Sequence, residues 1–238
     1  SGILKDPVTF SAMGVIFYCV INLLSKKKIW QSLILLFVAI FFCVELKPYI
    51  LYAFIPAVFL WIYFIVSKTI KSPVFKILFI PILLFSMVMG TYLFILGISA
   101  EAGKYEITNL DVVLEGFQSW HTYLAETRSQ SGYALENFEF TPIGVVKKIP
   151  EALVVTFFRP FPTEITNLGT LLGGIESFIL LLISIYVVIK TGVIRMLKFT
   201  LRNPELKFFL FFALSLGIAV GLTSYNFGAL SRYKIPCM

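Results

Sequence analysis

Five stretches of this chain run for 16 to 24 residues without a charged side chain: 7–25, 29–44, 48–67, 77–100 and 208–231. A sixth, 165–189, carries one charge, Glu176. Nothing else constrains the fold so tightly. About 20 apolar residues at about 1.5 Å each match the hydrocarbon core of a bilayer. Lipid offers no partner to a backbone N–H or C=O, so such runs must close their hydrogen bonds as helices. Charged residues are 14% of the 238, against about 25% in a soluble domain. The expectation is an all-α, polytopic transmembrane helix bundle. It has about six spans, near 7–24, 30–45, 49–66, 75–99, 168–190 and 206–230, with 100–167 as a helical loop outside the membrane.

The net charge of +7 could point to nucleic acid, but the placement of the bases reads as membrane topology. Lys26, Lys27 and Lys28 follow the first span. Lys68, Lys71 and Lys76 join the third to the fourth, and Lys190, Arg195, Lys198, Arg202 and Lys207 join the fifth to the sixth. These are eleven of the twenty bases, with Glu205 as the one acid among them. The positive-inside rule puts these loops in the cytoplasm and 100–167 outside. That outer loop holds nine acids and five bases. Ile107, Leu110, Leu114, Phe117, His121 and Leu124 recur near helical spacing, predicting an amphipathic helix to about Arg128. A second helix is expected from Thr141-Pro142, interrupted at Pro150, with 151–158 too short to span and lying in the interface. The chain opens at Ser1 rather than Met, which reads as an internal piece of a longer protein.

Chemistry-bearing residues outside the basic loops collect at the outer boundary. They are Asp6 before the first span, Glu45 and Lys47 around the second turn, Arg159 and Glu164 in "FFRPFPTE", and Arg232 and Lys234 after the sixth span. Anchoring by snorkelling would explain any one of them. Prolines beside Lys47 and on both sides of Phe161 stiffen the backbone there, and preorganised cations at a bilayer suit a phosphate head with a lipid tail. Lys47, Arg159, Arg232 and Lys234 are therefore the phosphate-binding candidates. Asp6, Glu164 and Glu176 are the carboxylates available for acid or base work. Glu176 lies about 13 Å into the fifth span and is expected to face the bundle, beside the small residues Gly169, Gly173 and Ser177. Ala213, Gly217 and Gly221 form a matching packing stripe on the sixth span. The single histidine, His121, and three scattered cysteines disfavour a metal site. No cofactor motif is evident, and nothing in the sequence supports a divalent metal.

The stretch 5–63, with Asp6-Pro7, a short basic loop and the turn Glu45-Leu46-Lys47-Pro48, resembles a module of polytopic GT-C class glycosyltransferases of the family 39 type. "SRYKIP" is similar to the Arg-Tyr-Arg-Leu-Pro signature of those enzymes, although the turn lacks their usual glycine before Pro48. The start "SG-x-x-KD" and the corner "FRPFP-x-E" also resemble a group of bacterial envelope proteins. The resemblance implies transfer of a sugar from a polyprenyl-phosphate donor to a glycan or lipid acceptor on the outer face. A carboxylate takes the acceptor's proton, and cations stabilise the departing polyprenyl phosphate. It also implies that the main base lies upstream of this piece, with Asp6 matching a later Asp-Pro position. An oligosaccharide or O-antigen-type polymerase would use the same face and substrates. A lipid-linked glycan transporter or flippase would need a polar path through the membrane. A non-enzymatic scaffold would leave the outer charges dispersed.

Overall fold

The computed structural model describes residues 2–69, 81, 85, 89, 142–224 and 226–238. Helix α1 is Gly2–Leu24, α2 Ile29–Leu46, α3 Pro48–Thr69, α4 Pro142–Phe158, α5 Leu168–Thr191, α6 Val193–Arg202, α7 Pro204–Thr223 and α8 Phe227–Tyr233. Short 3-10 turns, Pro162–Glu164 and Ile235–Cys237, complete the described chain. Among the described residues four helices are long and apolar enough to cross a bilayer: Pro7–Leu24, Ile29–Leu46, Leu168–Thr191 and Pro204–Thr223. A shorter apolar stretch, Tyr49–Ile65, lies within α3. The expected span at 75–99 falls outside the described residues apart from Pro81, Phe85 and Met89, which are helical and exposed. The helix expected at 107–128, with His121, also lies outside them.

Helices α1 and α2 form a hairpin closed by Ser25–Lys28, where Lys26 and Lys28 adopt left-handed backbone with φ of 53° and 46°. Helix α7 is the hub, packed against α3, α4, α6 and α8. Its aromatic stripe locks the bundle. Phe17 of α1 stacks on Trp61 of α3 with centroids 4.6 Å apart and planes 10° apart. Phe208 of α7 lies 5.5 Å from Trp61, and Phe54 meets both Phe208 and Phe212 edge-on. Ring pairs of this kind contribute about 0.5–1.5 kcal/mol each beyond the area they bury.

The small-residue stripe on α7 packs as expected. Thr156 of α4 donates its hydroxyl to the Gly217 carbonyl at 2.6 Å. A Cβ at Gly221 would overlap the Ala152 carbonyl oxygen and lie 2.7 Å from the carbonyl carbon. On α5, Gly173 faces Ser231 of α8 and Gly174 faces Ile165, whereas Gly169 stands exposed.

Two boundaries differ from the sequence reading. Helix α4 continues through Pro150, because its far half is held along α7 by Ala152, Val155 and Thr156, all buried. Tertiary packing there outweighs the lost backbone bond, a cost of about 3 kcal/mol in an exposed helix. The sixth span, expected to reach 230, stops at Thr223. Ser224 turns extended, and Asn226 accepts the Ala229 N–H at 2.7 Å to start α8. An asparagine at the N-cap supplies a stop and a restart inside an uncharged run.

Candidate functional site

Helix α4 runs antiparallel along α7, with Ala152 against Gly221 and Thr156 against Gly217, and the corner after it lies beside Gly174 and Ser177 of α5. Helix α8 packs against α5 and α7, and Tyr233 at its end meets Tyr49 of α3. Three of the cations singled out in the sequence lie in this cluster.

Lys47 caps α2, and Pro48 opens α3 directly after it, so the residue is fixed at a corner between two helices. Its side chain is almost fully buried, with Nζ 5.8 Å from the Tyr49 ring centroid and 5.4 Å from that of Tyr233. The two tyrosine rings meet edge-on at 5.7 Å. A cation over aromatic faces keeps its charge partly satisfied away from water.

Arg159 ends α4, donating its N–H to the Val155 carbonyl at 3.3 Å. The Arg159–Pro160 peptide is cis. The chain then runs extended through Phe161 into the turn Pro162–Glu164, which aims the Glu164 carboxylate back at the arginine. Arg159 Nε donates to Glu164 Oε2 at 3.1 Å, and a terminal guanidinium nitrogen donates to Oε1. The Phe161 N–H donates to Oε2 at 2.8 Å. The guanidinium carbon lies 5.5 Å from the Phe227 ring centroid of α8. Arg159 and Glu164 side chains are 19% and 22% exposed, so the pair reaches the surface without being flooded. Asn167 and Thr170 cap α5 reciprocally, fixing the exit from the corner.

Lys234 is the deepest of the three cations. It is wholly buried, and its ammonium donates to Ser177 Oγ at 2.6 Å and lies 3.5 Å from the Arg159 carbonyl oxygen. Ser177 donates to that same carbonyl at 2.9 Å. Burial pushes the Lys234 pKa down, opposed in part by the negative charge of Glu176. No carboxylate lies within ion-pairing distance of Lys234 among the described residues.

Other expectations change. Lys234 is buried, with its head on Ser177 and the Arg159 carbonyl, and so fastens the Arg159 corner. Arg232 stands outside the cluster, exposed, with Nε donating to the Gly228 carbonyl at 3.2 Å. Two residues along a helix turn a side chain by about 200°, so Arg232 and Lys234 cannot share a face. Glu176 is exposed rather than turned into the bundle. Ser177, in line with Thr170, Gly173 and Gly174, takes the inward position instead. Asp6 lies on α1, and its side chain is outside the described ones. The sequence reading missed Ser177 as the acceptor for Lys234, although its place on the small-residue stripe marked it as inward. Among the described residues no cluster of His, Cys, Asp or Glu could hold a metal ion.

Burial pushes the Glu164 carboxyl up, but the Arg159 hydrogen bond, the Phe161 N–H and the Arg159 charge outweigh it and hold the group below its ordinary value. A carboxyl lowered on folding stabilises the fold above its unfolded pKa of about 4.3, and that contribution disappears as pH falls through the folded value. Glu164→Gln is therefore expected to melt below the parent at pH 7, with the gap closing below about pH 4. Thermal unfolding in detergent across that range checks it, and a gap that does not change with pH would assign the effect to packing.

No family profile, curated protein or solved structure matches the chain.

Proposed function

We propose that the chain belongs to a membrane glycosyltransferase that takes a sugar from a polyprenyl-phosphate donor, at the leaflet opposite the basic loops. The observation that carries this reading is the gathering of Lys47, Arg159 and Lys234, from three distant segments, around one corner among apolar helices. An isolated surface anchor needs no such convergence. Arg159 is the ligand-facing member. Its fork suits phosphate oxygens, Glu164 and Phe227 hold it in place, and its side chain is 19% exposed. Lys47, by the Tyr49 and Tyr233 rings, adds positive charge to the same cluster. Lys234 positions the Arg159 backbone and raises the local potential without touching the donor. Glu164, bound to Arg159, orients that arginine rather than serving as the free base.

The test uses the full-length protein in proteoliposomes with a radiolabelled polyprenyl-phosphate sugar. Arg159→Lys, which keeps the charge and loses the fork, is expected to lower transfer about tenfold. Arg232→Gln, which lies outside the cluster, is expected to change it less than about threefold. Equal losses from both variants, or none from either, would remove the reading. Supplying a second lipid-linked glycan as acceptor separates a polymerase from a transferase.

A further inference from the structure

Helix α6 falls where the sequence reading had only a basic loop, between the spanning helices α5 and α7. At about 100° per residue nine of its ten positions sort into three bands, and Phe199, 62% exposed, stands between the basic and the inner ones. Met196 and Thr200, the half-buried positions, form the inner band, toward the bundle. Val193, Ile194, Leu197 and Leu201 form an apolar band, and they are 50%, 71%, 47% and 65% exposed. Arg195, Lys198 and Arg202 form the third band, all exposed, with no acid in the helix. None of these three bases makes an ion pair among the described residues. Lys190 and Lys207 flank the helix, so the basic field extends onto both neighbouring spans.

A helix with one apolar side about half to two-thirds exposed, an adjoining cationic side, and a spanning helix at each end fits a single environment. It is the boundary where acyl chains give way to headgroups. We propose that α6 lies in the membrane plane and binds anionic phospholipid headgroups through Arg195, Lys198 and Arg202, with Val193, Ile194, Leu197 and Leu201 among the acyl chains. The charge complementarity names the occupant: zwitterionic headgroups offer these bases no net counter-charge, and anionic ones do. This inference concerns α6, which shares no residue with the Arg159 cluster, and stands independently of it.

Tryptophan quenching by brominated lipid tests it on the whole protein in nanodiscs. The variant is Leu201→Trp in a Trp30→Phe background, and the signal is the difference from the same protein retaining Leu201. Bilayers contain phosphatidylglycerol and phosphatidylcholine at equal mole fraction, with bromine on the chains of one or the other. Quenching is expected from both, with brominated phosphatidylglycerol preferred by at least about fivefold. Adding Arg195→Gln, Lys198→Gln and Arg202→Gln should abolish the preference and keep the quenching. Absence of quenching by either lipid would place α6 in water or under another macromolecule and overturn the proposal. Equal quenching by both lipids before the substitutions would reduce α6 to an apolar anchor and overturn its headgroup selectivity.

Discussion

Arg159→Glu is expected to lower sugar transfer by at least about a thousandfold in the full-length protein, since losing one transition-state donor alone costs about 100–1,000-fold. The substitution also sets two carboxylates against each other where Arg159 and Glu164 now pair. The corner would then be destabilised, and lost activity alone could reflect a loosened fold. The exchange variant Arg159→Glu/Glu164→Arg separates the two effects. It restores an ion pair between the same two positions and with it most of the thermal stability. It does not restore a guanidinium at the end of α4, between Phe227 and the Lys234-anchored carbonyl. Stability should therefore recover while transfer does not. Recovery of transfer together with stability would show that the corner needs only its ion pair, and the phosphate role of Arg159 would fall.

The second large effect is structural. Gly221→Ala is expected to destabilise the bundle by about 3 kcal/mol or more, at the upper end for overpacking a core. A methyl group there has no room: it would overlap the Ala152 carbonyl oxygen and lie 2.8 Å from the Ala152 Cα, and backbone cannot rotate out of the way. Helix α4 must separate from α7, which breaks the Thr156 bond to Gly217 and displaces Arg159 seven residues after Ala152. Gly217→Ala makes the control. Its new Cβ meets the far edge of the Phe157 ring at 2.9 Å, and a side chain can swing aside. A cost of about 1 kcal/mol or less is expected for that variant. Chemical or thermal unfolding of both in the same detergent measures the contrast. Equal stability of the two would mean that α4 and α7 do not approach so closely at Gly221.

What could be read from the sequence follows from which forces act locally. Uncharged runs force helices, so α1, α2, α3 and α5 lie within a few residues of their expected bounds. Lys47 at the Lys-Pro turn and Glu164 behind Arg159 were legible because proline and short spacing fix the local backbone. Inward and outward orientation was harder. Glu176 and Ser177 are neighbours on one helix, and which of them faces inward depends on where α8 lands. Helix α8 is itself set by the Asn226 cap, a break concealed within an uncharged run. Pro150 reads as an interruption because propensity describes a helix in isolation, whereas α4 is held by α7. Helix α6 did carry a sequence signal, its apolar and basic residues alternating at helical spacing. Its positive charge drew attention to topology instead.

The Lys234 contact with the Arg159 carbonyl joins positions 75 residues apart. Ribosomal synthesis delivers them in order, so α4, the corner and α5, with the Glu164 and Ser177 bonds to Arg159, are made before the Lys234 ammonium arrives. The corner is then among the last parts of this bundle to reach its final shape, after α7 has been inserted and α8 has folded back. Until then, a nascent chain would hold its guanidinium by the Glu164 pair without the Phe227 ring or the Lys234 ammonium, which ties the ripening of the cationic corner to completion of the helices around it.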